Sequence, residues 1–445
     1  MRISDQSFLI QDVPSLTDLK QKVVSYREQE KIHNKWLKER LDTIMPKVMK
    51  ESGLDMWVIA FNEYNEDPLY RTLLPKHFFT GRRTMCLVFV MKDGELKRLA
   101  LTRPRIGIDG YYELEWINQK GSNWAIPEDY PYPPETQWEC LNRVVNQYDP
   151  KTIGLNYSDD FAFGDGLSYS LAKKIIGALD EKYRDRIVSA QYAAVKWLET
   201  RSDSELAAYN GIMQIQHTMI AEAFSSKVIT PGVTTSADVK YWMMQSIIDM
   251  GLEPWFDYEC TIIRKDVGFV SGDDEVIMPG DCLRCDVGFR YLDLCTDTQE
   301  MAYVLRPGET DAPDYLKKAL AQVNRFQDIV LENFEVGRTG NEILAASRKQ
   351  AIDEGLKPSL YSHPIGFHGH AAGPTIGLVD AQNGVPVRGD YAVSDHTCYS
   401  LELNCTVEIP EWNITTMWGY ESDISVADGQ IEFLAGRQTG YHLIK

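Results

Sequence analysis

Apolar residues in the first part of the chain follow two different periods, which predicts helices and strands in mixed order. Over residues 15–51 they lie at roughly helical spacing, so we expect the chain to open with helix. Residues 56–61 are apolar throughout, as in a buried strand, and Asp93-Gly94 separates two strand-like runs in the manner of a β-hairpin. Helices mixed with strands predict an α/β domain over residues 1–194.

A change of pattern near residue 195 predicts a second domain. Residues 197–205 open a long helical pattern, with Ser202 or Ser204 as its N-terminal cap. Farther along the chain, polar residues interrupt apolar, strand-forming runs. We therefore predict a second domain, of α+β type, over residues 195–445.

Tyrosine, tryptophan and proline crowd the segment between residues 111 and 138. A surface loop stiffened by proline would have this composition. So would a wall or lid over a substrate site, because aromatic loops can close pockets while they remain anchored. The sequence leaves both interpretations open.

The charge of the chain narrows the choice of partners. Its 445 residues include 46 Lys and Arg against 65 Asp and Glu, a formal net charge of −19, and no run is rich in Lys or Arg. This argues against a nucleic acid or an anionic membrane surface and leaves peptides and small molecules. No stretch approaches the roughly 18–20 consecutive apolar residues of a membrane-spanning helix.

The location of the protein is predicted from its first residues. Asp5, Gln6, Gln11 and Asp12 lie where a signal peptide needs an apolar run. We therefore expect a cytoplasmic protein, although removal of a signal peptide would leave the same chain. The eight cysteines lie mostly within apolar or strand-like runs, which is typical of reduced, buried thiols.

Four acidic residues stand in strand-like sequence in the second domain. Asp286 and Asp297 are 11 residues apart (297 − 286 = 11), and Glu402 and Glu421 each stand among apolar residues. A buried carboxylate needs an arginine partner or a metal, and four cannot be buried together without cations. Two divalent ions would offset their four charges.

Three histidines, at positions 363, 368 and 370, lie close together between these acids along the chain. Histidine suits borderline divalent ions, whereas carboxylates suit hard ones. A mixed set of ligands therefore favours Mn, Co, Fe or Zn over Ca.

With these residues in place, the chain resembles the pita-bread metallohydrolases, which include aminopeptidase P, prolidase, methionine aminopeptidase and the metal-free creatinase. Residues 200–205 are similar to the segment that opens the family's catalytic domain. Residues 279–288 and Thr296-Asp297 are similar to the strands that carry its first two ligands. The resemblance covers nearly the whole chain. It implies an α/β amino-terminal domain of the creatinase and aminopeptidase P type, followed by an α+β pita-bread catalytic domain.

The resemblance also implies a site for two divalent metal ions. Asp286 would chelate one ion, and Asp297 and Glu421 would bridge both. His370 and Glu402 would complete the other. Mn is the expected metal, with Co, Zn and Fe as alternatives, and a hydroxide that bridges the two ions would be the nucleophile.

Further roles follow from the same resemblance. Glu402 would pass a proton toward the leaving amine. His363 or His368 would stabilise the tetrahedral intermediate or position the substrate. The substrate would be a peptide or a small amide.

Two of these assignments are choices between neighbouring residues. The family pattern His-x-x-Gly-x-x-x-His fits fully from His363 through Gly366 to His370. Starting at His370 it fits only in part, but the spacing to Glu402 is then more like that of the family (402 − 370 = 32, against 402 − 363 = 39). We favour His370 as the ligand. We prefer Glu402 to Glu408 as the first glutamate because a proline follows Glu408 two residues later.

The chain departs from the family in the residues around the substrate. Residues 261–274 contain no histidine, whereas the peptidases usually carry one before the first aspartate. Thr298-Gln299 replaces the family's Arg-Thr, and Leu403-Asn404 replaces its Pro-Gly. The predicted metal ligands are complete, so the sequence supports amide hydrolysis, of the Xaa-Pro aminopeptidase or prolidase type, more strongly than any exact specificity.

Two other functions stay open at this point. A creatinase-like hydrolase would cleave a non-peptide C–N bond without a metal, which the five complete ligand positions disfavour. A catalytically inactive relative would serve to bind partners. The family further implies a homodimer, in which the aromatic segment could wall the partner's site.

Overall fold

The computed structural model describes the backbone of residues 2–4 and residues 15–103, 107–272 and 274–445. The chain forms two compact units, which divide it after residue 25 and after residue 198. We call residues 26–198 the amino-terminal unit, and residues 1–25 together with 199–445 the carboxy-terminal unit. The boundary that the sequence predicts, between residues 194 and 195, lies within a helix, Gln191–Glu199.

One mixed sheet with flanking helices makes up the amino-terminal unit. Its strands are β2 (Met56–Asn62), β3 (Thr84–Lys92), β4 (Glu95–Ala100), β5 (Glu113–Leu114), β6 (Ile153–Leu155) and β7 (Ile187–Ser189). Its helices are α2 (Tyr26–Thr43), α3 (Met45–Glu51), α4 (Tyr70–Leu73), α5 (Gln137–Tyr148), α6 (Tyr169–Ala178), α7 (Glu181–Arg184) and α8 (Gln191–Glu199). The strand order is β5-β4-β3-β2-β6-β7, with both parallel and antiparallel pairs. The predicted α/β class is confirmed.

The buried strand and the hairpin that the sequence predicts are both present. Residues 56–61 are fully buried and form most of β2. Strands β3 and β4 pair antiparallel and turn at Asp93 (φ 52°) and Gly94 (φ 83°). Both φ values lie in the left-handed region that this two-residue turn requires, and aspartate and glycine tolerate that region best.

The aromatic segment between residues 111 and 138 is anchored within its own unit. Arg143 donates to the carboxylates of Glu115 (2.6 Å) and Glu135 (2.7 Å), and its guanidinium lies 3.6 Å from the ring centroid of Tyr132. Trp116 is buried and donates from its indole nitrogen to the Glu135 carbonyl (2.9 Å). These contacts tie the proline-rich stretch to the body of the unit.

The carboxy-terminal unit is an α+β structure around a larger sheet. Its helices are α1 (Leu16–Lys20), α9 (Asp203–Ala223), α10 (Ser236–Asp249), α11 (Asp314–Asn333) and α12 (Gly340–Asp353). Its strands are β1 (Arg2–Ser4), β8 (Glu253–Pro254), β9 (Glu259–Arg264), β10 (Gly268–Phe269), β11 (Cys282–Val287), β12 (Phe289–Tyr291), β13 (Leu294–Cys295), β14 (Thr298–Val304), β15 (Pro358–Leu360), β16 (His363–Pro364), β17 (Thr397–Ile409), β18 (Ile414–Ala427), β19 (Gln430–Phe433) and β20 (His442–Ile444). The main sheet runs β1-β19-β18-β14-β11-β9-β10, while β17 pairs with β15, β16 and β18, and β20 pairs with β14.

One face of this sheet packs against helices. Strands β17 and β18 pair along their whole length. Alternate residues of β17, including Leu401 and Leu403, join Leu316 and Val323 of α11 in a buried apolar core. Because side chains alternate across a strand, the residues between them face the other side of the sheet. That second face carries the polar residues described below.

Two polar contacts fix helix α9 in place. At its start, Ser202 and Glu205 form a reciprocal capping box, so Ser202 is the cap among the two predicted serines. Farther along the helix, buried His217 donates a hydrogen bond from Nδ1 to the carboxylate of Glu300 of β14 (2.6 Å), and His442 of β20 donates to the same carboxylate. Burial would raise the pKa of Glu300, but the hydrogen bonds from the two histidines lower it to about 2. This triad therefore joins one helix to two strands.

All eight cysteines are buried as free thiols. Burial raises the pKa of Cys86 and of Cys260 to about 12. These thiols are therefore protonated at neutral pH. Among the described helices, none combines the length and the apolar character needed to cross a membrane.

Candidate metal centre

Three of the predicted acidic residues and one glutamine form a row across four neighbouring strands. Asp286 of β11 pairs with Gln299 of β14, which in turn pairs with Glu421 of β18. Glu402 of β17 pairs with Glu421 from the other side. Residues paired across a sheet face the same side of it, and the neighbours of Glu402 in the chain pack into the core. The row therefore lies on the face opposite the helices.

The acids of this row, together with Asp297 just before β14 and His363 of β16, lie within reach of a shared metal ion. One ligand atom from each of Asp286, Asp297 and Glu421 lies within 4.8 Å of the other two. The same holds for His363, Glu402 and Glu421. His363 Nε2 is 3.7 Å from Asp297 Oδ2 and 3.7 Å from Glu421 Oε1. The structure thus brings together the four predicted carboxylates and one histidine.

His370 also reaches this cluster, but by a weaker set of contacts. It forms a group with Asp297 and His363 within the same 4.8 Å limit, and its ring meets that of His363 edge to face, with centroids 4.7 Å apart. His370 is exposed, whereas His363 lies on β16, which pairs directly with β17. His363 is therefore the histidine that shares a group with Glu402 and Glu421, whereas spacing along the chain favours His370 as the ligand. His368 joins none of the groups found among the described residues.

The two candidate glutamates lie in different surroundings. Glu402 belongs to the cluster, and Glu408 does not. Glu408 lies six residues farther along β17 (408 − 402 = 6), which is about 20 Å in a strand. It is exposed and forms an ion pair with Lys357 (2.6 Å).

Burial makes the ionised form of these carboxylates costly. It raises the pKa of Asp286 to about 6, and together with the charge of Asp286 it raises the pKa of Glu402 to about 8. Burial and neighbouring carboxylates raise the pKa values of Asp297 and Glu421 well above the usual range. The cluster therefore holds protons unless cations take their place, and binding of divalent cations would release those protons.

The ring of His363 is suited to bind a metal. Its Nδ1 lies 3.0 Å from the carbonyl oxygen of Pro364, an arrangement that places the ring proton on Nδ1. Its Nε2 is buried and has no hydrogen-bond partner among the described residues. Burial and the neighbouring His370 lower the pKa of His363 to about 4, so Nε2 carries a free lone pair at neutral pH. The residues present therefore fit a metal ion.

Gln299 is a member of the row that the sequence did not point to as functional. Its amide nitrogen donates to Asp286 Oδ2 (3.0 Å) and to Glu402 Oε1 (2.5 Å). The guanidinium of Arg284 donates to its amide oxygen. A neutral amide within a strand carries no signal by itself, although Gln299 replaces a residue of the family pattern.

Two further polar residues support the cluster from the next row of the sheet. Ser400 donates a hydrogen bond to Glu421, and Asp423 accepts one from the backbone N–H of Asp297 (3.1 Å). Burial raises the pKa of Asp423 well above its usual value. The period of two along β17 and β18 would have been the signal for both residues, because each lies two positions from a predicted glutamate.

Residues 208–426 match the model of metallopeptidase family M24. Sequence comparison with curated proteins gives no match.

Several solved structures share the fold of the chain. X-Pro aminopeptidase from Thermotoga maritima is 18% identical, with a TM-score of 0.60 over 89% of this chain and 99% of its own. Xaa-Pro dipeptidase from Bacillus anthracis is 18% identical, with a TM-score of 0.59 over 92% and 100%. The amino-terminal domain of the FACT complex subunit SPT16 from chickpea, Cicer arietinum, is 12% identical, with a TM-score of 0.52 over 97% and 100%. Identities this low establish the fold alone, and a subunit of a complex shares it with peptidases. The predicted pita-bread architecture is confirmed.

Proposed function

Because the chain belongs to metallopeptidase family M24 through residues 208–426, we propose that it is a dinuclear metal-dependent hydrolase of amide or peptide bonds. The observation that carries this proposal is the group of four buried or half-buried carboxylates beside the free Nε2 of His363. Four carboxylates buried together must either hold protons or bind cations, and two divalent ions would balance the four charges of the ionised groups. An inactive relative would have no need to keep this set.

Each of the two ions has its own set of ligands in this proposal. One would be held by Asp286, Asp297 and Glu421. The other would be held by His363 and Glu402, with Asp297 and Glu421 shared between the ions. His363 thus takes the place of His370 in the ligand set favoured from the sequence. Bound ions would lower the pKa of a water molecule and polarise the scissile carbonyl.

We propose that His370, the histidine next to the ligands, binds the substrate. Partial removal of the His370 ring from water lowers its pKa, so at neutral pH the ring is neutral and can both donate and accept a hydrogen bond. Its exposure leaves it accessible to a substrate beside His363. We assign His370 to hydrogen bonding with the substrate, and Glu402 to proton transfer toward the leaving amine. A substrate role for His368 stays a prediction.

The ligand types indicate the metal, and the shared fold indicates the substrate. Carboxylates outnumber histidine in the cluster, and such a set suits Mn, with Co, Zn and Fe as alternatives. An X-Pro aminopeptidase and an Xaa-Pro dipeptidase share the fold. We therefore propose an Xaa-Pro aminopeptidase or a prolidase-like dipeptidase. The cytoplasmic location stays a prediction.

Elemental analysis of the purified chain, combined with hydrolysis assays, tests the metal enzyme. We expect about two metal ions per chain after loading with Mn. Asp297→Asn should lose metal and activity together, because Asp297 is shared between the ions. Glu408→Gln is the matched control and should keep both. Absence of metal under every loading condition would end this proposal and favour a creatinase-like C–N hydrolase or a binding protein.

A panel of peptides tests the specificity separately. Xaa-Pro dipeptides and tripeptides are compared with Xaa-Ala peptides of the same length. A prolidase-like dipeptidase would cleave only the dipeptides, whereas an aminopeptidase would also cleave the tripeptides. Equal rates on the proline and alanine series would contradict proline specificity and leave the hydrolase intact.

A further inference from the structure

A single amide nitrogen donates hydrogen bonds to two of the proposed metal ligands. Gln299 Nε2 donates to Asp286 Oδ2 and Glu402 Oε1, at 3.0 and 2.5 Å. Gln299 is almost completely buried, so these hydrogen bonds face no competition from bulk water. In the proposed site the two carboxylates serve different ions. Each of them has one oxygen engaged by the same neutral donor.

Arg284 determines which way this amide points. Its Nε and Nη2 donate to Gln299 Oε1 at 3.2 and 2.5 Å. Since a guanidinium can only donate, the amide oxygen must face Arg284 and the amide nitrogen must face the carboxylates. Arg284 is itself 9% exposed, and its Nη2 lies 3.8 Å from Asp286 Oδ2. A buried positive charge therefore lies beside the outermost carboxylate of the row.

We infer that Arg284, acting through Gln299, is a counter-charge that competes with the metal ion beside Asp286. In the metal-free protein the pair stabilises the assembled carboxylates, because it supplies positive charge and hydrogen bonds that they would otherwise lack. In the loaded protein the same positive charge repels the divalent ion at Asp286. This inference rests on the proposed metal-binding function.

The two ions should be affected to different degrees. The ion beside Asp286 has carboxylate ligands only, and the single ligand that it does not share is the one next to Arg284. The other ion has His363 in addition. We therefore expect one Mn ion to bind tightly and the second to bind more weakly and to exchange more readily.

Titration of the metal-free full-length chain with MnCl₂ tests the inference without an activity assay. The electron paramagnetic resonance signal of free Mn²⁺ counts the ions that stay unbound. Thermal melts measure the stability of the metal-free protein. In Arg284→Met we expect the second ion to bind about tenfold more tightly or better, because the repulsive charge is gone. At the same time the metal-free protein should melt at a lower temperature. Gln299→Leu keeps the charge of Arg284 but frees the two carboxylate oxygens that the amide engages, so it should shift both quantities in the same directions by a smaller amount.

Two control variants separate this competition from a general structural role. Arg264→Met removes another guanidinium from the same sheet, where it pairs with Asp281 (2.7 Å) and contacts none of the proposed ligands. It should lower the melting temperature with and without Mn and leave the affinity of both ions unchanged. Arg284→Lys keeps the charge and should keep the second ion weak.

The outcomes for the inference and for the proposed function differ. If Arg284→Met and Gln299→Leu leave the second ion unchanged or bind it more weakly, Arg284 is a structural residue and the inference is wrong. If the wild-type chain binds both ions with equal affinity, the inference is wrong as well. If the wild-type chain binds no Mn at all, the proposed function itself fails.

Discussion

Buried carboxylic acids make the stability of the metal-free protein depend on pH, and Glu402 shows the direction of this dependence. In the folded protein its pKa is raised from 4.5 to about 8. Between these values the folded chain therefore holds a proton that the unfolded chain has released. The free energy of unfolding must decrease as the pH rises through this window, and Asp286 adds to the same trend over a narrower range.

We expect the melting temperature of the metal-free protein to fall between about pH 5 and about pH 8. Glu402→Gln should make the melting temperature depend less on pH, since a glutamine has no proton to lose. With saturating Mn the melting temperature should instead rise with pH, since ionised carboxylates bind the metal more tightly. Differential scanning fluorimetry across this pH range measures the melting temperatures of the metal-free protein, of Glu402→Gln and of the Mn-saturated protein. A melting temperature that rises with pH in the metal-free chain would show that the cluster is ionised without cations.

His363 and His370 should respond differently to substitution, which tests their assignment. His363→Gln should weaken binding of one Mn ion by about 100-fold or more, because a metal ligand is lost, and activity should fall with it. His370→Gln should keep both ions and lose about 10²- to 10⁴-fold in kcat, as expected for a lost proton-transfer or substrate contact. Dialysis against Mn and steady-state kinetics measure the two effects. The opposite pattern would restore His370 as the ligand.

The two histidines also show where prediction from the sequence ends at this scale. Residue type and order identify the acids of the cluster, because carboxylates in apolar strands need an explanation. The position of a histidine in space depends on how its strand pairs. The spacing between residues along the chain gives no information about that pairing. His363 lies opposite Ser400 of β17, two residues from Glu402, although the two are 39 positions apart in sequence (402 − 363 = 39).

At the scale of elements, strand register is what assembles the site. Asp286, Gln299, Glu421 and Glu402 come from four strands and meet only because each pair is in register. A shift of one residue would turn a whole strand over and place its acid in the apolar core. The hairpin, the buried strand and the helix cap could be predicted because their signals are local. The order of the strands that forms the row could not be predicted in this way, because it depends on contacts between distant parts of the chain. Only the family resemblance brought the four acids together.

The triad of Glu300 with His217 and His442 should carry much of the link between helix α9 and its two strands. Glu300→Gln removes a buried, charge-assisted acceptor, and we expect it to lower the free energy of unfolding by about 3 kcal/mol. Urea denaturation followed by circular dichroism measures the change. Glu411→Gln, at an exposed position, is the control and should stay within about 0.5 kcal/mol of wild type. Equal stability of the two variants would show that the triad contributes little.

For the whole molecule, the family resemblance predicts a homodimer. Light scattering coupled to gel filtration should give about twice the mass of one 50.8 kDa chain. The measurement should be repeated at high and low salt, since a chain with a net charge of −19 repels its copies more strongly at low ionic strength. A mass equal to one chain under both conditions would rule out the dimer.

The buried thiols give this protein its own reporter of local opening. An alkylating reagent needs an exposed thiolate, so each cysteine should react only when the structure around it opens. Cys86 and Cys140 belong to the amino-terminal unit, and the other six belong to the carboxy-terminal unit. The rates at which mass spectrometry finds these two sets labelled would therefore give separate opening rates for the two units, and added Mn should slow only the set that shares a unit with the metal centre.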